Sequence, residues 1–262
     1  MESAMKHNPI GVFDSGVGGI SVLKELMRRM PGESYVYYGD SANAPYGAKS
    51  PEDVRALTDT HVAELIARGA KAIVIACNTA TGAAIQDLRQ KYTEIPIIGM
   101  EPAIKPAVTA YPGGRVLVMA TPLTLSSPRF RKLMDAHAER AQIIPAPCSK
   151  LARMIENGVL AGAALEEYLL SELAEYLQTP PDAVVLGCTH YPFVADTILR
   201  VTGARKLFDG GEGTAKETER QLKERGWLRE DTRKGSVTIL NSDPDLARLR
   251  LCEKLLGVDA DR

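Results

Sequence analysis

Residues 73–82 read IVIACNTATG, and the character of the chain changes at Cys77. An apolar run rich in β-branched residues ends at this cysteine, after which Asn78 and Thr79 make the chain polar. Small residues that can begin a helix then follow. A short apolar run of this kind predicts a buried strand, so the pattern places a thiol where a strand meets a helix.

The same pattern returns around Cys188, in VVLGCTHYPF at residues 184–193. The segments IGVFDSGVGG (10–19) and VLVMATPLTL (116–125) form a second pair in which a strand pattern ends in a polar turn. The members of the two pairs are separated by similar lengths of chain. We interpret the pairs as two related α/β halves, and chance similarity between strand–helix units is the alternative.

Short apolar runs alternate with amphipathic stretches along most of the chain, which is typical of parallel sheets covered by helices on both faces. The predicted strands cover residues 9–14, 34–38, 72–76, 95–99, 115–120, 141–145, 183–187, 205–208 and 236–240. Ligands in such sheets bind beyond the carboxyl ends of the strands. The sequence therefore predicts an α/β fold of two pseudo-symmetric, doubly wound domains with the active site in the cleft between them.

The clearest helix is predicted over residues 51–68. Ser50 is suited to the N-cap position, Pro51 to the first turn, and Gly69 to the position after the last turn. His61 lies on the apolar face of this helix, so we interpret it as a packing residue.

The composition narrows the class of protein. The chain has 262 residues, 45% of them hydrophobic and 25% charged, as in average globular proteins. Its 32 basic and 33 acidic residues form no basic block, which argues against a nucleic-acid partner. The stretch MESAMKHNPIGVF lacks the apolar core of a signal peptide, and no run reaches membrane-spanning length. We expect a cytoplasmic protein with no membrane partner.

The chain has four cysteines, at positions 77, 148, 188 and 252, without a CxxC motif. Their wide spacing, in a protein expected in a reducing compartment, argues against a disulfide framework. Cys188 and His190 could form a ligand pair, but no cluster supplies further ligands, so no metal site is predicted. Cys148 and Cys252 lack the strand-then-turn context and are interpreted as structural.

A thiol acts as a base only as thiolate, and a helix N-terminus or a polar partner favours that form. Two thiols in equivalent halves suit the inversion of a carbon centre, because one can remove a proton while the other donates one from the opposite face. The alternative is that each strand-end cysteine packs as a small apolar residue.

The turns after the predicted strands offer helpers for such chemistry. Asp14 and Ser15 end the first strand, and Gly16, Gly18 and Gly19 would let backbone N–H groups approach a carboxylate. The alternative is a glycine-rich turn that needs these residues only for positive φ.

Further polar groups follow other strands. In GDSANAPYG (39–47), Tyr46 could offer a hydroxyl and Gly47 a backbone donor, although a plain turn explains the segment equally well. His190 could tune or protonate a neighbouring group. Glu156 ends a predicted helix, and a solvated side chain is expected there.

Four motifs together resemble the signatures of the glutamate racemase family. They are DSGVGG at 14–19, GDSANAPYG at 39–47, ACNTAT at 76–81 and GCTHYP at 187–192. Their order and spacing agree with the family, and the likeness runs from about residue 9 to residue 257.

The resemblance implies an amino-acid racemase that needs no cofactor, including pyridoxal phosphate. By this likeness Cys77 removes the α-proton from D-glutamate and Cys188 removes it from L-glutamate. Asp14 would assist Cys77, and His190 would assist Cys188. Glu156 matches a further family carboxylate near the second thiol, although the surrounding LARMIENG departs from the usual pattern.

The resemblance also implies the substrate contacts and the biological setting. The implied contacts are Asp14, Ser15, Tyr46, Gly47, Asn78, Thr79, Thr121, Thr189 and His190. The family supplies D-glutamate for peptidoglycan in the bacterial cytoplasm and is often a homodimer. Residues 1–100 with 210–262 would form one domain, and residues 101–209 the other.

The sequence departs from the family at two sites. The usual GDTA followed by arginine is here GDSA followed by Asn43, which would alter a loop contact at the cleft mouth. The usual DSGAETA is here DGGEGTA at 209–215, where a helix start is expected. An aspartate racemase, another superfamily member and a non-catalytic two-domain amino-acid-binding protein are the alternative functions.

Overall fold

The computed structural model describes residues 2–230 and 233–257, so the ends of the predicted domains at residues 1 and 258–262 lie outside the described residues. The strands are β1 (Ile10–Asp14), β2 (Tyr35–Gly39), β3 (Ala72–Ile75), β4 (Ile97–Gly99), β5 (Arg115–Ala120), β6 (Gln142–Pro147), β7 (Ala183–Leu186), β8 (Lys206–Asp209) and β9 (Val237–Asn241). Every predicted strand is confirmed, with ends that differ by at most two residues.

The helices alternate with these strands. They are α1 (Glu2–His7), α2 (Ile20–Arg29), α3 (Pro51–Ala67), α4 (Asn78–Lys91), α5 (Ile104–Ala110), α6 (Pro122–Ser126), α7 (Pro128–Asp135), α8 (Leu151–Glu156), α9 (Ala163–Leu173), α10 (Ala195–Thr202), α11 (Gly211–Glu224) and α12 (Leu246–Leu256). Short 3-10 turns cover Ser41–Asn43, Tyr46–Ala48 and Tyr191–Val194. Throughout the described part of the chain, no helix has both the length and the apolar character that crossing a membrane requires.

Two parallel sheets organise the molecule. The first has the strand order β4-β3-β1-β2-β9, and the second has the order β6-β5-β7-β8. If β5 to β8 are matched to β1 to β4, the second sheet repeats the strand order of the first, and β9 is an addition to the first sheet. The predicted α/β fold with two pseudo-symmetric, doubly wound halves is confirmed.

Each sheet is covered on both faces, which explains the continuous apolar runs of its central strands. All five residues of β1 and all four of β3 are buried. Helices α2, α11 and α12 cover one face of the first sheet, and α3 and α4 cover the other. Helices α8, α9 and α10 cover one face of the second sheet, and α5 and α7 cover the other.

Helix α3 begins and ends as its sequence predicts. Ser50 caps it by accepting a hydrogen bond of 3.1 Å from the Asp53 backbone N–H, and Pro51 occupies the first position. Gly69 has a φ of +86°, which stops the helix after Arg68. His61 is buried and stacks on Phe13, as expected for a packing residue.

The strand order sets the position of the site. After β1 the chain forms β2 on one side of it, and β3 then pairs on the other side. The loops that leave β1 and β3 therefore diverge and leave a crevice at the carboxyl ends of these strands. The same divergence occurs between β5 and β7 in the second sheet.

The chain enters the second sheet after β4 and leaves it after β8. The two connections lie against each other, since a Cβ added at Gly210 would lie 2.4 Å from the carbonyl oxygen of Glu101. The domain limits expected from the sequence, 1–100 with 210–262 and 101–209, stay a prediction.

Candidate active site

A cavity between the two sheets brings together the turns that follow β1, β3, β5 and β7. Its lining is formed by Ser15, Ala44, Pro45, Tyr46, Gly47, Cys77, Asn78, Thr79, Thr121, Ala152, Glu156, Gly187, Cys188, Thr189 and His190. Both strand-end thiols are in this set. The cavity has a volume of about 20 Å³, which is room for about one water molecule. The two halves are therefore closed on each other.

Cys77 occupies the N-cap of α4, as the sequence predicts. Its sulfur accepts a hydrogen bond of 3.4 Å from the Ala80 backbone N–H and lies 3.3 Å from Ser15 Oγ. Burial, and then the charge of Asp14, raise the pKa of the Cys77 thiol to about 12. The expectation that a strand-end position favours thiolate is wrong for Cys77 in this closed form, because burial outweighs the two hydrogen bonds.

Cys188 has a different environment. Its sulfur lies 3.5 Å from His190 Nδ1, so the expected pairing of these two residues is present in the geometry. The chain after Cys188 enters a 3-10 turn before α10, whereas Cys77 leads directly into an α-helix. The two thiols are thus equivalent in topology and unlike in their partners: a hydroxyl faces Cys77, and an imidazole faces Cys188.

His190 is held from its other side by Glu156. His190 Nε2 lies 2.6 Å from Glu156 Oε1, and both residues are buried. Burial alone would lower the pKa of His190, but its contacts with Cys188 and Glu156 outweigh burial and hold the pKa well above its ordinary value. The pKa of Glu156 is lowered, since burial is outweighed by the hydrogen bond and the charge of His190. Cys188 therefore contacts a buried imidazolium–carboxylate pair through its imidazolium side.

The solvated position expected for Glu156 is wrong. Helix α8 does end at this residue, but its side chain is only 4% exposed and is turned into the cleft. Oε1 accepts a hydrogen bond of 2.6 Å from the Val17 backbone N–H, and Oε2 accepts one of 3.1 Å from Ser41 Oγ. Both donors belong to the first half of the molecule, which a helix pattern around residue 156 cannot reveal.

The glycine-rich turn after β1 receives side chains from the second half. A Cβ at Gly16 would lie 1.9 Å from Glu156 Oε1, and a Cβ at Gly18 would lie 2.3 Å from His190 Nδ1. No glycine of this turn has positive φ, so the alternative based on φ is wrong. In this structure the turn binds the carboxylate of Glu156 through the Val17 backbone N–H, and the cradle for a ligand carboxylate stays a prediction.

Asp14 is fully buried at the end of β1. Its Oδ2 accepts a hydrogen bond of 3.0 Å from Thr189 Oγ1, and its Oδ1 accepts one of 3.2 Å from the Gly16 backbone N–H. Burial raises its pKa to about 6, although the charge of His190 acts in the opposite direction. Asp14 thus bonds to a neighbour of Cys188 and acts on Cys77 through its charge.

Tyr46 and Gly47 lie in the wall of the cavity after β2. The Tyr46 hydroxyl donates a hydrogen bond of 2.6 Å to Asp40 Oδ2, so its proton is directed away from a ligand. A Cβ at Gly47 would lie 2.6 Å from Cβ of Thr121 in the other half. The hydroxyl expected from Tyr46 is thus engaged by Asp40, and the backbone donor expected at Gly47 stays a prediction.

Among the residues that line the cavity, Asn78 has the side chain that the protein satisfies least. Both its Oδ1 and its Nδ2 are buried and lack a hydrogen-bond partner, and the residue lines the cavity. Because buried polar side chains are normally bonded, this amide is poised to bind a ligand through both its donor and its acceptor.

Three threonine hydroxyls meet across the cleft. Thr79 Oγ1 lies 3.0 Å from Thr121 Oγ1 and 3.0 Å from Thr124 Oγ1, and these last two are also 3.0 Å apart. Thr124 was absent from the predicted site, although its position three residues after the N-cap Thr121 of α6 signals a turn in which it faces the cap. Ser41 was also missed, since GDSANAPYG reads as a loop.

The lining of the cavity carries little positive charge. Among the residues that line the cavity, none is a lysine or arginine, and His190 is the one that can carry a positive charge. In residues 2–230 and 233–257, no three histidine, cysteine or acidic side chains converge in a way that could hold a metal ion. Cys148 and Cys252 are buried free thiols outside the cavity lining.

Comparison with known proteins identifies the family of the chain. The family model described as Asp/Glu/hydantoin racemase matches residues 10–218. A glutamate racemase of Clostridium botulinum is 48% identical over 252 residues, which cover 96% of this chain and 98% of that protein.

Solved structures agree with the fold. Glutamate racemase of Francisella tularensis, in complex with D-glutamate, has a TM-score of 0.84 and 29% identity, and the match covers 98% of this chain and 96% of that chain. Escherichia coli glutamate racemase, in complex with L-glutamate and an activator, has a TM-score of 0.80 and 28% identity, over 95% of this chain and 92% of that one. The chain therefore belongs to the Asp/Glu/hydantoin racemase family and, within it, to the glutamate racemases.

Proposed function

We propose that this protein interconverts L-glutamate and D-glutamate by moving the α-proton between two thiols, Cys77 and Cys188. The observation that carries the proposal is that both strand-end thiols line one cavity and come from topologically equivalent strands of the two halves. A base and an acid on opposite faces of a carbon are what inversion of that carbon requires.

Each direction has two proton transfers. With D-glutamate, the Cys77 thiolate takes the α-proton, so the C–H bond breaks, an S–H bond forms, and the electron pair passes into the α-carboxylate. The Cys188 thiol then gives its proton to the opposite face of the carbon and becomes a thiolate. L-glutamate follows the same path in reverse, with Cys188 as the base and Cys77 as the acid.

Two charged residues support the thiols differently. Asp14 raises the pKa of Cys77, which makes the Cys77 thiolate, once formed, a stronger base for a weakly acidic α-proton. The His190 imidazolium, held by Glu156, faces the Cys188 sulfur and stabilises negative charge there. These roles assign Asp14 to the Cys77 side and His190 to the Cys188 side, as the family likeness implied.

We propose that the substrate is held by hydroxyl, amide and backbone groups, with His190 as the one positively charged residue of the lining. We assign the two carboxylates and the ammonium group of glutamate to the polar lining, which comprises Ser15, the Tyr46–Gly47 backbone, Asn78, Thr79, Thr121, Thr189 and His190. Asn78 supports this assignment most directly, because its amide has no partner within the protein. Asp14 is fully buried and is not part of the cavity lining, so we assign it to the support of these groups.

Substrate entry requires the halves to separate. A volume of about 20 Å³ holds about one water molecule, far less than an amino acid occupies. The groups that meet across the cleft, such as Thr79 with Thr121 and Thr189 with Asp14, must part when glutamate enters. Closure around the substrate would then exclude water from the carbanion.

The remaining parts of the proposal follow from family membership. Proton transfer between two thiols needs no pyridoxal phosphate or other cofactor, and we propose that none is used. We further propose that the protein acts in the cytoplasm as a homodimer, supplies D-glutamate for peptidoglycan, and is built from the two domains whose limits the sequence suggests.

The first test uses purified protein and L-glutamate in heavy water, without added cofactor. We expect D-glutamate that carries α-deuterium. Cys188→Ser should abolish racemisation while exchange of the D-glutamate α-hydrogen continues, and Cys77→Ser should show the converse with L-glutamate. Cys148→Ser, a buried thiol outside the cavity lining, is the matched control and should stay active.

Other outcomes would change the proposal. Turnover of aspartate in place of glutamate would keep the two-thiol mechanism and overturn the substrate. Glutamate binding that survives the change of both cysteines to serine, without exchange in the unmodified protein, would indicate a binding protein and overturn the enzymatic proposal.

A further inference from the structure

A chain of hydrogen bonds runs from the added strand β9 to the candidate base Cys188. Asn241, at the end of β9, donates from Nδ2 to Ser41 Oγ at 3.0 Å, and Ser41 Oγ donates to Glu156 Oε2 at 3.1 Å. Glu156 Oε1 meets His190 Nε2 at 2.6 Å, and His190 Nδ1 faces Cys188 at 3.5 Å. The first two members belong to the five-stranded half, and the last three belong to the other half.

The donor-to-acceptor direction of this series of hydrogen bonds is fixed at Asn241. Asn241 Oδ1 accepts a hydrogen bond of 2.9 Å from the Asp243 backbone N–H. An amide has its acceptor and its donors on opposite arms, so this bond leaves Nδ2 to face Ser41. Ser41 has one hydroxyl proton, and because Nδ2 occupies its lone pair, that proton is directed to Glu156.

Glu156 needs such a donor to keep its orientation. The last torsion of a glutamate side chain is broad and weakly restrained, so hydrogen bonds decide the plane of the carboxylate. Oε1 is fixed by the Val17 N–H and by His190, and Ser41 fixes Oε2. Without Ser41, the buried Oε2 loses this donor and the carboxylate can turn away from the imidazole.

We propose that Ser41 and Asn241 are positioning residues for the Cys188 side of the site, acting through Glu156 and His190. The proposal rests on the two-thiol function above and assigns to the C-terminal strand a part in the chemistry of the opposite half. It also separates the two thiols, since neither Ser41 nor Asn241 bonds to Cys77 or Ser15 in the described structure.

Three variants test it. Ser41→Ala removes the donor to Glu156. Asn241→Asp keeps the acceptor for Asp243 but replaces the donor, so Ser41 faces two competing carboxylates. Ser41→Thr keeps the hydroxyl and should rescue activity. Ser236→Ala, an exposed serine next to the other end of β9, is the control.

The first two variants should lower kcat/KM about 10-fold, which is the scale of losing a hydrogen bond to a buried charged group. The loss must be the same in both directions, because the two enantiomers are equal in free energy. The isotope effects should differ, however. Slower removal of the proton by Cys188 should raise the effect of α-deuterium in L-glutamate. Slower donation by Cys188 should lower the effect of α-deuterium in D-glutamate, because removal by Cys77 no longer limits the rate.

A general loss of structure would change both isotope effects alike and would reduce the melting temperature, and this result would overturn the proposal. Unchanged kcat/KM in folded Ser41→Ala and Asn241→Asp would overturn it as well. If the unmodified protein fails to racemise glutamate, the proposed function fails first, and a binding measurement on the same variants then separates the two failures.

Discussion

His190 Nε2 lies 2.6 Å from Oε1 of Glu156, in a cleft where the two side chains are 3% and 4% exposed. The contact joins a turn after β7 to the end of α8, and together with the contact with Cys188 it holds the pKa of His190 well above its ordinary value despite burial. The positive charge of the site thus comes from a pair inside the protein.

Glu156→Gln should remove the negative charge beside His190 while keeping the shape of the side chain. The pKa of His190 is raised in the folded protein, so its imidazolium persists to higher pH than usual and is lost as pH rises through that pKa. In the variant this loss should occur at lower pH. We expect kcat to fall at least about 10-fold and the alkaline limb of the rate profile to move to lower pH.

The measurement is kcat/KM for glutamate against pH, together with NMR titration of His190. Glu166→Gln, on the exposed face of α9, is the control and should leave the profile in place. An unchanged His190 titration in Glu156→Gln would show that the carboxylate does not set the charge.

Asp14→Asn should change how stability depends on pH. Burial raises the pKa of Asp14 to about 6, so the folded state binds this proton more tightly than the unfolded state does. The contribution of protonated Asp14 to the free energy of unfolding is fully present below the unfolded pKa of about 3.9. It is lost as the pH rises to about 6. At about 1.4 kcal/mol for each pH unit, the loss is on the order of 3 kcal/mol.

The Asn variant lacks this loss, so its free energy of unfolding relative to the unmodified protein should increase between about pH 4 and pH 6.5. Urea unfolding at several pH values measures the difference. Asp135→Asn, an exposed residue of α7, should show no such trend, and a flat difference for Asp14→Asn would refute the assignment.

Gly16→Ala should disrupt the cleft. The new Cβ would lie 1.9 Å from Glu156 Oε1, and the Val17 N–H prevents that carboxylate from moving freely. We expect a loss of about 1–3 kcal/mol in the free energy of unfolding, and activity reduced together with it.

Gly213→Ala is the matched control for this change. Gly213 lies in α11 with nothing within 4 Å of the added Cβ, so the substitution should stabilise the protein by about 0.5–1 kcal/mol. Chemical denaturation of both variants decides the comparison, and equal effects would mean that the contact at Gly16 is relieved by a shift of the cleft.

Lys71→Met should be strongly destabilising. Lys71 and Glu33 form a fully buried pair at 2.6 Å, and Lys71 also donates to the carbonyl oxygens of Lys6 and Trp227 at 2.9 Å. Removing the ammonium group of Lys71 leaves the Glu33 carboxylate buried without its charged partner, which costs about 3–5 kcal/mol of unfolding free energy.

The double variant Lys71→Met with Glu33→Leu removes both charges and should recover much of that loss. Lys91→Met breaks the exposed pair with Asp59 and should cost far less stability than Lys71→Met, because solvent screens exposed ion pairs. Thermal unfolding compares the three proteins, and a small effect of Lys71→Met alone would show that water reaches Glu33.

The sequence predicted those features of the fold that depend on residues close to one another along the chain. Alternation of apolar runs gave every strand, Ser50 and Gly69 gave the ends of α3, and the two strand-end cysteines gave the location of the cavity. These features follow from propensity, capping and burial within one segment, which a single sequence records.

Contacts between the halves could not be predicted in this way. Glu156 is expected in solvent from its own helix, yet donors more than a hundred residues away bury it. The loop pattern predicts that the Tyr46 hydroxyl is available to a ligand, but in the fold it donates a hydrogen bond to Asp40. Each error arises because the deciding partner comes from another segment, and no periodicity encodes that partner.

The position of β9 has a consequence for how the protein is made. The first sheet contains strands from residues 10–99 and one from residues 237–241, and all strands of the second sheet lie between them in the chain. During synthesis, β5 to β8 leave the ribosome as one uninterrupted unit and can fold while the edge of β2 is still open. The first sheet is completed only when β9 pairs with β2, about two hundred residues earlier in the chain, so we expect this long-range pairing to be a slow step of folding.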